Sequence, residues 1–163
     1  MILILMGVSG CGKTTVGKLL AARLGWAFYD GDDFHPRANK DKMARGVPLD
    51  DDDRAGWLAA LADLIREELH KGKSAVLACS ALKERYRQEL CVDPDQVRLV
   101  YLKGSYQQIL RRMASRSDHY MKPGMLQSQF EALEEPREAL TVGIDATPQA
   151  IVAQVLQKLR LSR

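Results

Sequence analysis

The sequence predicts an α/β domain in which a parallel sheet is covered by helices on both faces. Three observations carry this prediction. Short apolar runs alternate with longer segments of helical period. The first run, Ile2-Leu3-Ile4-Leu5-Met6, is continuous rather than alternating, as a strand buried on both faces should be. A glycine-rich loop follows it at once and opens into a helical pattern.

Each element has its own signal. After the loop, Val16, Leu19, Leu20 and Leu24 recur at helical spacing, and Gly25 stands at the helix stop. Residues 26–29 form a second strand. Residues 53–71 place Trp57, Leu58, Leu61, Leu64, Ile65 and Leu69 on one face, and Gly72 ends that helix. Residues 74–79 and 97–102 give strands three and four, with helices at 82–91 and 105–116. A short fifth strand is expected at 141–145. Pro148 then opens the last helix, through about residue 161. The chain of 163 residues has no internal repeat and suits one domain, 1–163. Parallel sheets bind ligands beyond the carboxyl ends of their strands, and every chemically suggestive loop below lies at such an end.

Hydrophobic residues make up 46% and charged residues 28%, which places the chain among ordinary globular domains. The net charge of +3 suits a small anionic ligand. No Lys/Arg block or basic stripe with aromatics is present, so nucleic acid is not an expected partner. No apolar run nears the roughly 18 residues of a membrane span. The N-terminal run lacks a basic leader and a cleavage site, so it reads as a strand rather than a signal peptide. Cys11, Cys79 and Cys91 are few and widely spaced, and read as reduced thiols of a cytoplasmic protein.

Gly7-Val8-Ser9-Gly10-Cys11-Gly12-Lys13-Thr14 satisfies G-x-x-x-x-G-K-[ST] between an apolar strand and a helix. Glycines let successive N–H groups turn inward around phosphate oxygens, and the helix adds the positive end of its dipole. Lys13 would neutralise the β and γ phosphates, and the Thr14 hydroxyl would be a Mg²⁺ ligand, with Thr15 beside it at the nucleotide. The motif predicts nucleoside triphosphate binding without saying where the γ-phosphate goes. Cys11 has two readings: a thiol among inward N–H groups, favouring thiolate, or a small side chain filling the loop.

The second strand runs into Tyr29-Asp30-Gly31-Asp32-Asp33-Phe34-His35-Pro36. A kinase for an alcohol needs a carboxylate to orient the hydroxyl and take its proton. Asp32 is the candidate, and Asp30 falls on its side if the strand stays extended. The alternative is a polar turn in which Asp33 caps a helix. Asp50-Asp51-Asp52-Asp53 suits the N-terminus of the Trp57 helix. Arg54 beside it could grip a carboxylate, with Arg37 and Lys42 as further candidates.

Longer strings narrow the substrate class. His35-Pro36-Arg37-x-Asn39-x-x-Lys42-Met43, Gly46-x-Pro48-Leu49-x-Asp51-x-Asp53-Arg54-x-x-Trp57-Leu58, Cys79-Ser80-Ala81-Leu82-Lys83-x-x-Tyr86-Arg87 and Met125-Leu126-x-x-Gln129-Phe130-Glu131-x-Leu133-Glu134-x-Pro136 resemble the gluconate kinase (gluconokinase) family. The resemblance runs from Gly7 to Pro136 and more loosely beyond. It implies transfer of the ATP γ-phosphate to the 6-hydroxyl of D-gluconate with Mg²⁺, in gluconate utilisation. It also implies the nucleoside-monophosphate-kinase type of P-loop fold, sheet order 2-3-1-4-5, in a family where homodimers are common. By the same resemblance Asp32 holds the acceptor hydroxyl and Asp30 lies near the metal, through water. His35, Arg54, Ser80, Lys83 and Arg87 become candidates for gluconate.

Residues 111–123, Arg111-Arg112-Met113-Ala114-Ser115-Arg116-Ser117-Asp118-His119-Tyr120-Met121-Lys122-Pro123, are basic and join two helices where related kinases carry a lid, here about 112–124. A closed lid excludes water and brings cations to the phosphoryl group. In the resembling pattern Arg116 packs on the adenine and Lys122 reaches the phosphates. His119 either touches phosphate or sugar or is simply solvated, and His70 is a helix-end charge. Residues 145–148 fall where related kinases wrap the adenine edge. Shikimate kinase is the runner-up, but that family has a glycine triplet where Cys79-Ser80-Ala81 stands. A GTP switch would need Asn-Lys-x-Asp late in the chain and Asp-x-x-Gly after the third strand. Neither is present.

Overall fold

The computed structural model of the chain describes residues 1–115 and 123–161. Ile2–Met6 forms β1, buried along its whole length. It lies between β3 (Ala75–Ala78) and β4 (Val97–Lys103), with Ile2 level with both Ala75 and Val97. β2 (Ala27–Asp30) and β5 (Leu140–Gly143) complete an all-parallel sheet in the order β2-β3-β1-β4-β5. Because strand side chains alternate, β1 feeds two cores. Leu3 and Leu5 face the side of α1 (Lys13–Leu24) and α7 (Pro148–Lys158), while Ile2, Ile4 and Met6 face α3 (Asp51–His70) and α4 (Glu84–Leu90). Each such fully buried side chain contributes about 1.5–3 kcal/mol. α5 (Tyr106–Ala114) and α6 (Pro123–Ala132) pack on the α1 side.

The expected fold class and sheet order are both observed, with strand ends shifted by a residue or so. α3 begins at Asp51, two residues ahead of the periodic pattern, because Asp50 caps it. Asp53 N–H donates to Asp50 Oδ1 at 2.8 Å and Asp50 N–H to Asp53 Oδ2 at 3.0 Å, a reciprocal capping box. A helix that the periodicity did not announce, α2 (Arg37–Ala44), precedes it. Residues 116–122 lie outside the described residues, and with them Arg116, His119 and Lys122.

The chain does not stay extended beyond β2. Gly31–Phe34 is a turn of 3₁₀ helix, and its cap is Asp30, whose Oδ1 accepts from Asp32 N–H at 3.0 Å. Asp33 is therefore not the cap, and α2 starts behind Pro36 with no side-chain cap. The turn is pressed into the sheet. A methyl group on Gly31 would lie 2.7 Å from the Ala78 carbonyl and 3.4 Å from Cys79 Cβ. Backbone is the obstacle, so Gly31→Ala should cost about 1–3 kcal/mol through overpacking. The urea midpoint should fall, and turnover should fall beyond the unfolded fraction because Asp32 moves with the turn. An unchanged midpoint would show that the turn is not clamped there.

Candidate active site

The phosphate loop leaves the carboxyl end of the central strand. Gly10 and Gly12 adopt φ of 82° and 98°, open to glycine at no cost, and Gly12 caps α1. Lys13 Nζ donates to the Gly7 and Val8 carbonyls at 2.9 and 3.0 Å, folding its ammonium over the loop. Cys11 is buried and packs into the core beneath, with its sulfur 3.9 Å from Lys13 Nζ. Burial pushes the neighbouring Cys79 thiol up to about 12. Thr14 and Thr15 are exposed in the first turn of α1.

Thr14 Oγ1 lies 3.1 Å from Asp30 Oδ2, so the end of β2 meets the loop as the sequence suggested. The pair offers a hydroxyl and a carboxylate, the hard oxygen donors Mg²⁺ takes when phosphates and water supply the rest. Among the described residues no cluster of three His, Cys, Asp or Glu could hold a metal without such help. Asp32 is raised from its ordinary carboxyl range by desolvation first, opposed by Lys13 and reinforced by Asp30 and Asp33. With 59% of its side chain exposed, this is desolvation by the walls of a concave site.

Asp32, Lys13 and Ser9 open onto a cavity of about 300 Å³. His35 and Trp57 form one wall, their rings stacked at 4.2 Å. Met125, Ser128 and Gln129 of α6 close another side, and Ser9 N–H donates to Gln129 Oε1 at 2.7 Å, tying that helix to the loop. Two cations, Arg54 and Lys83, line the space beside Tyr86. Arg54 Nη1 donates to Tyr86 Oη at 3.4 Å, and Lys83 Nζ is 3.5 Å from Asp51, which also takes Arg85 and the Tyr86 hydroxyl. Ser80 lies at the end of β3 on the same cavity.

Of the expected site residues, Ser9, Lys13, Asp32, His35, Arg54, Ser80 and Lys83 converge on this space, with Thr14 and Asp30 at its phosphate edge. Arg87 does not. It is 2% exposed, and its fork is spent on the Ala81 and Glu134 carbonyls, both at 2.8 Å, and on Glu84. It holds Ala81, a non-glycine residue at φ 44°, where the chain turns out of β3. Lys42 is likewise committed, to Asp53 at 2.8 Å, and Arg37 is exposed on α2 away from the cavity. Four side chains to which the sequence reading gave no individual site role lie at or beside the site: Asn39, Asp51, Arg112 and Gln129. Arg112 donates to the Ile144 carbonyl and lies over Gly12. Its position in a basic segment was the available signal.

Fold and site together define a P-loop kinase, one that brings a triphosphate to a small acceptor. The family model described as shikimate kinase matches residues 9–160. A probable gluconokinase of Mus musculus is 42% identical over 179 residues, covering 98% of this chain and 97% of that protein. A gluconokinase of Sinorhizobium meliloti 1021 overlays with a TM-score of 0.83 at 37% identity, covering 97% of this chain and 94% of its own. A sugar kinase of Janibacter sp. HTCC2649 gives 0.91 at 37%, covering 98% and 94%. Solved shikimate kinases are 18–21% identical, a likeness of fold alone. The chain belongs to the gluconokinase family.

The two roles open to Arg87 differ in a measurable way. Arg87→Met keeps the stem and removes the fork, orphaning the buried Ala81 carbonyl at about 1–3 kcal/mol and freeing the part-buried Glu134 carbonyl. A lowered urea midpoint with nearly parental kcat and acceptor KM in the folded enzyme is expected. A raised acceptor KM at undiminished stability would return Arg87 to the substrate.

Proposed function

We propose that the protein transfers the γ-phosphoryl group of ATP to the 6-hydroxyl of D-gluconate, giving 6-phosphogluconate and ADP, in the cytoplasm. The observation that carries this reading is the cavity. One space contains a carboxylate at the phosphate loop and two cations beside a tyrosine, and its volume suits a six-carbon polyhydroxy acid. Arg54 and Lys83 would hold the gluconate carboxylate, Arg as a fork and Lys as a point charge. Ser80 would face its hydroxyls, with His35 in the wall beside Asp32.

In the transfer, Asp32 orients the 6-hydroxyl and takes its proton as the new oxygen–phosphorus bond forms. The bond from the γ-phosphorus to the β–γ bridging oxygen breaks, and ADP leaves. Lys13 leaves its loop carbonyls for the phosphates and offsets the charge that grows on them. The loop N–H groups from Val8 to Thr14 cradle the rest. Thr14 and Asp30 would hold Mg²⁺, Asp30 through water, and the ion would supply neutralisation of the phosphate charge. Residues 112–124 are proposed as the lid of this single domain, with Arg116 at the adenine and Lys122 at the phosphates. A homodimer is the assembly this family reading carries.

The test is ADP release with gluconate, shikimate, nucleoside monophosphates or no acceptor, with the product identified by mass. Gluconate should exceed each alternative by about a hundredfold or more in kcat/KM, because a site built around hydroxyls and a carboxylate rejects acceptors that leave them unpaired. Shikimate matching gluconate would overturn the reading. Asp32→Asn should lower kcat by about a hundredfold to ten-thousandfold with little change in ATP KM. If only the gluconate KM rises, Asp32 binds substrate and some other group takes the proton.

A further inference from the structure

A chain of side chains runs from the start of α3 to Asp32. The Asp53 backbone carbonyl accepts a hydrogen bond from Asn39 Nδ2 at 2.7 Å. A carbonyl can only accept, so the atom facing it must be the amide nitrogen, and this fixes which way the Asn39 amide points. The same nitrogen lies 3.2 Å from His35 Nδ1. An amide nitrogen can only donate, so Nδ1 must present its lone pair, and the proton of the neutral ring sits on Nε2. Nε2 is 3.8 Å from Asp32 Oδ1.

The packing leaves little freedom to reverse this order. Asn39 is 3% and His35 8% exposed, and the imidazole lies flat on Trp57, 14° from parallel. Lys42 clamps α2 to Asp53 on the far side of the same helix start. Burial, with help from Arg54 and Lys40, brings the His35 pKa down to about 4, so the ring is neutral at physiological pH. Its outward group there is a permanent N–H.

We infer that Asn39 and His35 are positioning residues: Asn39 fixes the Nε2–H tautomer of His35, and that N–H holds Asp32 Oδ1, leaving Oδ2 for the acceptor hydroxyl. The exposed Asp32 side chain closes the remaining distance by a small swing. The opposite tautomer would turn a lone pair toward the carboxylate and push it away from the acceptor. The inference rests on Asp32 as proton acceptor in the proposed reaction, but the tautomer itself does not depend on the substrate.

The test uses the full chain labelled with ¹⁵N-histidine at pH 7. The sequence has three histidines, so His35 is assigned as the signal that survives in His70→Gln and His119→Gln. Its Nε2 should be protonated and its Nδ1 unprotonated. An Nδ1–H tautomer, an even mixture or an imidazolium would overturn the proposal. Kinetics supply the second arm, run with whichever acceptor the ADP-release panel identifies. In His35→Gln the amide nitrogen replaces Nε2–H, and kcat should stay within a few-fold. His35→Phe keeps the stack on Trp57 without the donor, and kcat should fall by about tenfold to a hundredfold at constant ATP KM. Equal losses in the two folded variants would refute a role for the N–H. Should gluconate fail as acceptor while the Nε2–H tautomer is found, the proposed substrate falls and the relay stands.

Discussion

The indole N–H of Trp57 donates to the Gly31 carbonyl at 2.7 Å in a buried setting, and the acceptor half of the site depends on that bond. It joins the first turns of α3 to the turn that carries Asp32. A buried indole needs a partner for its N–H, and Trp57 has this one while its ring covers His35. On the other side, Gly31 is held against the Ala78 carbonyl at a spacing no larger residue allows. Asp32 is thus fixed between sheet and helix, opposite a loop that is itself fixed by the central strand. Function requires that two independently built pieces meet, and the parallel sheet makes them meet by ending β1 and β2 on the same edge.

Three carboxylates around that meeting point are each tied to a cation or a hydrogen bond. Asp30 accepts from the turn and from Thr14, Asp53 from Lys42 and the helix cap, and Asp51 from Tyr86 with Lys83 and Arg85 nearby. Arg54 and Lys83 remain turned to the cavity. Behind them Arg87 is sunk among carbonyls, where its guanidinium shapes the exit from β3 rather than the ligand. Left-handed Ala81 is held open there by a cation, whereas a run of glycines would reach the same path by backbone freedom alone. Ser80, next to Ala81 in sequence, stands on the cavity wall.

Much of this was legible in the sequence because it follows from period and spacing. The continuous run at residues 2–6 announced a doubly covered strand, the phosphate loop is written in consecutive residues, and Gly25 and Gly72 marked helix ends by their backbone preference. What escaped did so for physical reasons. α2 buries a polar residue, Asn39, and no apolar stripe, so hydrophobic period could not reveal it. Asp30 and Asp32 come together because the backbone turns, where an extended strand had been the expected cause. Arg87 and Arg54 are alike as letters, and only the fold decides that one meets carbonyls and the other open space. The tautomer of His35 depends on a carbonyl 18 positions away in sequence, between residues 35 and 53, which no local pattern encodes.

The central claim is that the cavity orients a sugar acid with its terminal hydroxyl at Asp32 and its carboxylate at Arg54 and Lys83. A crystal structure with gluconate and a non-hydrolysable ATP analogue measures this directly. The account predicts the 6-hydroxyl within hydrogen-bonding distance of Asp32 and in line with the γ-phosphate, with the carboxylate on Arg54, Lys83 or both. Gluconate bound the other way round, with its carboxylate toward Lys13 and its 6-hydroxyl away from Asp32, would contradict it.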